Sequence, residues 1–367
     1  MGFEKQLHQY DSFDILQYLN GVKENDVLRI LEKRKLDALE FLALLSPAAG
    51  NLLETMAQKA HEISIKHFGK TILLYTPMYL SNFCVNQCIY CSFNFDLNIP
   101  RRKLTFDEIE EEAKAISDTG LKHILILTGE SRRETPVSYL TEAVKRLKKY
   151  FQSISIEIYP LELEEYRMMA AAGVDGLTIY QEVYDKQVYR QVHIGGPKTN
   201  YLFRLNAPER ACKAKFRSVN IGALLGLAQW QREAFFTGLH AQYLQNQYPD
   251  VEISISLPRI RPHAGGFKGR VKVEDRALVQ ILLALRLFLP YAGITISTRE
   301  SRFLRDHLIP LGVTKMSAGV STAVGGHTSD KGTDQFEIGD TRSVAEMKEV
   351  ILKKGYQPIL KDWMKWD

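Results

Sequence analysis

The chain is poor in cysteine and has no long apolar run. Only four of its 367 residues are cysteine. The longest apolar stretch, Ile281 to Pro290, is interrupted by Arg286 and is too short to span a bilayer. The N-terminus, Met1 to Asp14, is polar and mixed in charge, without the apolar segment of a signal peptide. We therefore expect a cytoplasmic protein without membrane contact, whose thiols stay reduced.

The charge pattern also lacks the features of a nucleic-acid-binding protein. The formal net charge of +5 is spread along the chain, and no basic run is interleaved with aromatic residues. Pairs such as Arg101–Arg102 and Lys148–Lys149 predict solvated faces. With 45% hydrophobic and 25% charged residues, the chain can bury an ordinary core. We expect a globular protein with no nucleic-acid partner.

Residues 1–70 predict a helical extension. Apolar residues recur at helical spacing in three segments, Asn25–Glu32, Lys35–Leu45 and Asn51–His67. Glycine and proline residues separate these segments. We expect this region to support a larger domain rather than to form a separate catalytic unit.

From residue 71, short β-rich runs alternate with amphipathic segments of helix length. The eight strand candidates are Thr71–Tyr75, His123–Leu127, Ile154–Tyr159, Leu177–Tyr180, Val219–Ala223, Glu252–Leu257, Ile294–Thr298 and Val313–Ser317. The helix candidates are Asp107–Asp118, Val137–Tyr150, Glu162–Ala172, Val183–Gln191, Pro208–Ala214, Trp230–Tyr248, Glu274–Phe288 and Ser301–Ile309.

This alternation predicts an α/β fold with a parallel sheet, and eight units favour a TIM-type (β/α)₈ barrel over residues 71–320. An open doubly wound sheet is the alternative, although no G-x-G-x-x-G follows the first strand. Residues 321–367, which include a predicted helix at Val344–Lys354, would form a C-terminal cap packed on the barrel.

Three of the four cysteines lie within eight residues, after the first predicted strand. The close spacing of Cys84, Cys88 and Cys91 in a reducing compartment is typical of metal binding. Three thiolates leave one corner of a cubane iron–sulfur cluster open, and an open iron can bind a cofactor or substrate. A structural zinc site would need a fourth ligand, and Cys212 and His193 lack motif spacing. A non-catalytic iron–sulfur or zinc protein is the alternative of another class.

The C-x₃-C-x₂-C spacing, with Tyr90 just before the third cysteine, resembles the radical S-adenosylmethionine (SAM) superfamily. The resemblance implies a [4Fe-4S] cluster on the three cysteines. It also implies that the open iron chelates SAM, which reduction splits into methionine and a 5′-deoxyadenosyl radical. Tyr90 would line the cofactor site.

The same resemblance implies further cofactor contacts after the second predicted strand. Gly129–Glu130 is similar to the superfamily's GGE segment, with Thr128 in place of the first glycine. There a backbone carbonyl or an acidic side chain accepts from the methionine ammonium. The alternative is an acid in a solvated loop.

Two more cofactor contacts are implied near the fourth and fifth predicted strands. Gly222 and Gly226 would let the backbone approach the adenine, unless they serve helix–strand packing. Glu182 and Arg204 would hold the ribose or the methionine carboxylate. Alternatively, these two charges would form a structural salt bridge.

Segments along nearly the whole chain resemble one branch of the superfamily, the aromatic amino-acid lyases. These segments are Pro77–Asn82, Tyr180–Tyr184, Gly196–Lys198, Pro258–Pro262, Ser297–Ser301 and Lys361–Trp363. The hydrogenase-maturation branch member carries a second cluster on a C-terminal C-x-x-C, and no cysteine follows Cys212 here. The resemblance is therefore closest to the 2-iminoacetate synthases of thiamine thiazole biosynthesis. A lyase for tryptophan or another aromatic amino acid is the alternative.

Within this branch, an amino-acid substrate has candidate contacts at several strand ends. Arg299 is a natural bidentate partner for a carboxylate, with an ion pair to Glu300 or another acid as the alternative. Ser317 and Ser321 would add hydroxyl contacts, and Tyr79 and Asn86 would fix the substrate amine or carboxylate. The alternative for all four is packing around the cluster. The resemblance implies cleavage of L-tyrosine to 2-iminoacetate and p-cresol. It also implies a thiazole synthase partner and a flavodoxin- or ferredoxin-type reductant.

Overall fold

The computed structural model describes residues 2–329 and 332–361, and its centre is a closed barrel of eight parallel strands. Each strand pairs with the next along the chain, and β1 pairs with both β2 and β8. The predicted (β/α)₈ barrel is therefore confirmed, and the open-sheet alternative is wrong. The strands are β1 Thr71–Ser81, β2 His123–Thr128, β3 Ser153–Glu157, β4 Gly176–Glu182, β5 Ser218–Ala223, β6 Glu252–Ser256, β7 Gly293–Ile296 and β8 Lys315–Ser317.

Helices cover the outside of the barrel and precede it. Before β1 come α1 Glu4–His8, α2 Ile15–Gly21, α3 Glu24–Leu31, α4 Ala38–Ala43, α5 Pro47–Gly50 and α6 Leu53–Phe68. Around the barrel lie α7 Phe106–Asp118, α8 Val137–Leu147, α9 Leu163–Ala172, α10 Lys186–Val192, α11 Tyr201–Leu205, α12 Ala207–Lys213, α13 Trp230–Gln247, α14 Asp275–Phe288 and α15 Arg302–Leu308, with α16 Val344–Lys353 in the tail. None of the helices in the described ranges is long and apolar enough to cross a bilayer.

Strand β1 is longer than its predicted extent of Thr71–Tyr75 because it pairs with three neighbouring strands. Its first residues pair with β9, Gln357–Ile359, a short strand that the sequence pattern did not predict. Its middle pairs with β8, and its second half pairs with β2. Pro77 lies within the strand, although proline is disfavoured at interior strand positions. The extension carries the chain directly to the cysteine loop.

The N-terminal extension packs against the barrel's outer helices. The ring of Phe41 stacks on that of Phe288 with centroids 4.3 Å apart. Gln280, on α14, donates through Nε2 to the carbonyl oxygens of Leu44 at 3.0 Å and Ser46 at 2.8 Å. These contacts hold the extension against α14 on the outside of the barrel. The boundaries at residues 70 and 320 stay a prediction.

The C-terminal tail folds back over the barrel mouth. Glu112, a buried carboxylate on α7, accepts hydrogen bonds from the backbone N–H of His327 and the hydroxyl of Thr328. Asp340 is fully buried and pairs with the equally buried Arg305. The family-like segment Lys361–Trp363 lies outside the described residues except for Lys361.

Candidate active site

One cavity opens at the C-terminal ends of the strands and brings most of the predicted site residues together. Its wall includes Cys84, Cys88, Cys91, Tyr79, Asn86, Tyr90, Gly129, Glu130, Glu182, Arg204 and Arg299. These residues come from the ends of four different strands, from the loops after them and from α11. Parallel strands end at one face of the barrel, which is why residues so distant in sequence meet here.

The cysteine loop is held by backbone hydrogen bonds to neighbouring loops. Val85 N–H donates to the Glu130 carbonyl oxygen at 2.9 Å, and Gln87 N–H donates to that of Gly195 at 2.9 Å. The Arg101 guanidinium donates to the carbonyl oxygens of Asn82 at 2.8 Å and Phe93 at 2.9 Å. One cation thus satisfies carbonyl groups on both sides of the segment that carries the three thiols.

The thiols themselves suit a metal centre that displaces their protons. Burial raises the pKa of Cys88 to about 12 and also raises the pKa of Cys91. Both are therefore protonated at neutral pH, and metal binding has to release the protons.

The arrangement of the three thiols distinguishes a cluster from a single ion. Among residues 2–329 and 332–361, no three His, Cys, Asp or Glu side chains converge as a single ion requires. The three thiols nevertheless line one cavity. A cubane cluster takes each thiolate on a different iron, so this set fits a cluster better than a zinc ion.

Gly129 lets the loop after β2 contact the cysteine loop. A Cβ atom at this position would lie 2.4 Å from the Phe83 carbonyl oxygen, which no side chain tolerates. The next residue, Glu130, accepts a hydrogen bond at 2.6 Å from the amide of Asn86. Asn86 in turn accepts from the backbone N–H of Lys198 at 2.8 Å. Glycine is needed here for packing, and the packing positions Glu130 and Asn86 on the cavity wall.

Glu182 sits at the end of β4 in a strained backbone. Its φ is +68°, and the register of β4 against β5 shifts there. Its carboxylate lies 2.7 Å from Lys198 Nζ and 3.2 Å from the Arg204 guanidinium. Burial by itself would raise the pKa of Glu182, but these two cations reverse the effect and lower it. The Glu182–Arg204 ion pair therefore exists, and it forms part of the cavity wall.

Tyr90 is fixed by a histidine that stays neutral. Its hydroxyl lies 2.7 Å from His193 Nε2, while His193 Nδ1 lies 2.8 Å from the Tyr189 carbonyl oxygen. A carbonyl can only accept, so Nδ1 carries the proton and Nε2 accepts from Tyr90. Burial lowers the pKa of His193 to about 3, which keeps the ring neutral. His193 thus orients an aromatic ring on the cavity wall.

Arg299 presents its guanidinium to the cavity without a carboxylate partner. The alternative of an ion pair with Glu300 is wrong, because Glu300 accepts from Arg259 at 3.0 and 3.1 Å. Arg299 stacks on the Phe336 ring at 3.4 Å and donates one hydrogen bond, to the Arg259 carbonyl oxygen at 3.2 Å. Within the described residues no acid lies within salt-bridge distance of Arg299. Its remaining donors are available to a ligand.

Four predicted residues do not lie on the wall of the cysteine cavity. Ser317 lines a deeper cavity inside the barrel, and its Oγ accepts from the Thr298 N–H at 3.0 Å. Ser321 bonds within its own turn, and Gly226 accepts from the N–H groups of Arg270 and Val271. A Cβ at Gly222 would lie 2.5 Å from the Ser256 carbonyl oxygen, so close strand packing explains that glycine. Their predicted roles stay predictions.

Several cavity residues were missed in the sequence. Gln335 and Phe336 come from the tail, where no periodic pattern marked them; Gln335 accepts from the Tyr79 hydroxyl at 2.8 Å. Lys198 was noted only as part of a family-like segment. Glu157 ends β3, and the alternation Ser153, Ser155, Glu157 on one strand face was a signal that it points into the barrel.

Two family models match the chain, in regions that meet at this cavity. Residues 78–237 match the model described as the Radical SAM superfamily. Residues 256–357 match the model described as the Biotin and Thiamin Synthesis associated domain. Together they cover the cysteine loop and most of the tail that closes over the cavity.

Curated relatives and solved structures match over nearly the full length. The chain is 35% identical to the 2-iminoacetate synthase of Salmonella typhimurium over 99% of its own length and 97% of the relative's. It is also 35% identical to the Escherichia coli 2-iminoacetate synthase, over 98% and 96% of the two chains. The X-ray structure of the FeFe-hydrogenase maturase HydG from Carboxydothermus hydrogenoformans is 34% identical, with a TM-score of 0.87, and the match covers 94% of this chain and 82% of that one.

Proposed function

The chain belongs to the radical SAM superfamily and, within it, to the family of the 2-iminoacetate synthases, and on this basis we propose that it is a tyrosine lyase. It cleaves the Cα–Cβ bond of L-tyrosine, giving 2-iminoacetate (dehydroglycine) and p-cresol. Methionine and 5′-deoxyadenosine are the co-products. The observation that carries this function is that three cysteine thiols and the unpaired Arg299 open into one cavity.

The cofactors are a [4Fe-4S] cluster and SAM. Cys84, Cys88 and Cys91 would hold the cluster. When bound, the pair supplies the 5′-deoxyadenosyl radical that takes a hydrogen atom from the amino group of the substrate.

The polar residues beside the thiols would hold SAM. Glu130 and Asn86 are linked to each other, and the group of Glu182, Lys198 and Arg204 carries charges of both signs. An ammonium, a carboxylate and ribose hydroxyls all find partners in such a set. The buried Thr128 hydroxyl, which has no hydrogen-bond partner in the described part of the chain, is a further available contact.

Arg299 would bind the carboxylate of tyrosine. The Phe336 ring fixes the guanidinium plane, so its free donors are already oriented for a bidentate contact. Tyr79 lies on the same wall, and Ser317 lines the adjoining deeper cavity. Holding the substrate at its charged end keeps the amino group near the source of the radical.

Two protein partners belong to this proposal. Imines hydrolyse readily, so 2-iminoacetate would pass directly to a thiazole synthase. A flavodoxin- or ferredoxin-type protein would supply electrons. Residues 261–272 support an acidic donor, since this segment holds four Lys or Arg and no acid. It contacts the cysteine loop, because Ala264 N–H donates to Ser92 Oγ at 3.1 Å.

The test is product analysis with reconstituted protein. The chain is loaded with iron and sulfide without oxygen and given SAM, a one-electron reductant and either L-tyrosine or L-tryptophan. We expect 5′-deoxyadenosine and p-cresol with tyrosine. If neither substrate yields 5′-deoxyadenosine, the radical assignment is wrong. If tryptophan alone is consumed, the chain is a lyase for a different aromatic amino acid.

Arg299→Ala tests the carboxylate contact. We expect a large increase in the KM for tyrosine with unchanged iron content, because Arg299 contacts no cysteine. Arg302→Ala is the matched control, since the Arg302 side chain is 57% exposed on the outer helix α15. A loss of iron in the Arg299 variant would contradict the assigned role.

A further inference from the structure

Glu157 is a carboxylate in the site, and the proposed function does not yet assign it a role. It is the last residue of β3, paired in register with Leu127 on β2. Its side chain lines both the cysteine cavity and the deeper cavity inside the barrel. No hydrogen bond to its carboxyl oxygens occurs within the described residues. The carboxyl group is half-buried and opens into both cavities, so an acid without a protein partner at this place is available to a ligand.

Glu157 and Arg299 stand on opposite sides of the barrel mouth. Strands β3 and β7 are four places apart in the ring of eight, and each residue lines both cavities. The two charges interact across this space, since Arg299 acts to lower the pKa of Glu157. A cation on one wall and an acid on the other complement the two charged groups of one amino acid.

The groups around Glu157 are of mixed charge and come from several elements. They are Glu182, Arg299, Arg204 and Lys198, with the phenol groups of Tyr75, Tyr79 and Tyr180. Burial, followed by the repulsion from Glu182, raises the pKa of Glu157 to about 7. The carboxyl group can therefore either take or release a proton near neutral pH.

We propose that Glu157 binds the α-ammonium group of the substrate and accepts one proton from it, while Arg299 binds the carboxylate. An N–H bond of the ammonium breaks and an O–H bond forms on Glu157. The carboxylate becomes a neutral acid and the ammonium becomes a neutral amine, with no change in electron count. This assignment rests on the proposed function, because it gives that reaction its amine in the reactive form.

The substrate amine has to be neutral for the next step, in which a hydrogen atom is removed from its N–H bond. An ammonium nitrogen has no lone pair, whereas a neutral amino nitrogen does, and that pair stabilises the radical left when a hydrogen atom is removed. Cleavage of the Cα–Cβ bond then forms the C=N bond of the imine. The amino group of free tyrosine is mostly protonated at neutral pH, so a proton acceptor in the site raises the fraction of substrate that can react.

Glu157→Gln tests this role through the pH profile. Gln keeps the shape of the side chain but cannot accept the proton. We expect kcat/KM for p-cresol formation to fall by about 100-fold near neutral pH. We expect the deficit to narrow by about tenfold per pH unit as alkaline buffer deprotonates tyrosine. The control is Glu252→Gln, at the opposite end of the barrel on β6, which should match the wild type at every pH. A pH-independent deficit in the Glu157 variant would overturn the role.

A binding measurement separates recognition from folding defects. L-tyrosine and 3-(4-hydroxyphenyl)propionate, which lacks the amino group, are titrated into both proteins. We expect Glu157→Gln to weaken tyrosine by about 10- to 100-fold and to leave the analogue nearly unchanged. An equal loss for both ligands overturns the contact with the amine. If the wild type itself makes no p-cresol, the proposed function fails; if it does and the variant behaves identically, only the inference fails.

Discussion

Replacing Glu157 with glutamine should stabilise the cofactor-free protein at neutral and alkaline pH, and the size of the effect follows from its surroundings. The pKa of Glu157 is raised from 4.5 to about 7. A raised pKa means that the folded chain holds this proton more tightly than the unfolded chain. The folded state loses stability as pH rises from about 4.5 to about 7, where the buried group ionises. Each pH unit in that interval contributes about 1.4 kcal/mol, so the full loss is about 3 kcal/mol.

The assay is denaturant unfolding of both proteins at several pH values between about 4.5 and about 8. At the acid end the neutral acid and the amide should give similar free energies of unfolding. At the alkaline end the glutamine variant should be more stable by about 3 kcal/mol. Glu252→Gln, whose side chain is 56% exposed, should run parallel to the wild type. Parallel curves for wild type and Glu157→Gln would refute the argument, because the carboxyl would then ionise as freely in the fold as in water.

Three further variants test the loop, the tail and the remaining thiol. Gly129→Ala should lower iron content after reconstitution, because its Cβ would clash with Phe83; wild-type iron content would contradict that. Asp340→Asn leaves the fully buried Arg305 uncompensated and should lower the free energy of unfolding by about 3–5 kcal/mol. A loss below about 1 kcal/mol in denaturant would show that water reaches this pair. Cys212→Ser should keep full iron content by colorimetric assay, since Cys212 lies off the cavity; a loss of iron would make it a fourth ligand.

The local parts of the site were predictable because they depend on neighbours in sequence. The spacing of the three cysteines determines that they can share a metal centre, and the alternation of strands and helices determines the barrel. Because strand ends meet at one face, the sequence pattern alone assigns Glu130, Glu182 and Arg299 to a common cavity.

Contacts between residues far apart in sequence could be read only from the folded chain. The adjacency of Arg299 and Glu300 in sequence suggested an ion pair. In the structure Glu300 pairs with Arg259 instead, and Arg299 has no carboxylate partner among the described residues. Gln335 lies far from Tyr79 along the chain, and only the returning tail brings them to 2.8 Å.

Glu157 shows most clearly which properties depend on local sequence and which depend on the fold. Its position on β3 follows from the alternation of residues, so the sequence by itself determined that the strand could point this side chain into the barrel. Its pKa of about 7 depends on burial by all the surrounding elements and on Glu182 from another strand. Chain-local patterns determine which way a side chain points, whereas its charge state depends on groups that folding alone brings near.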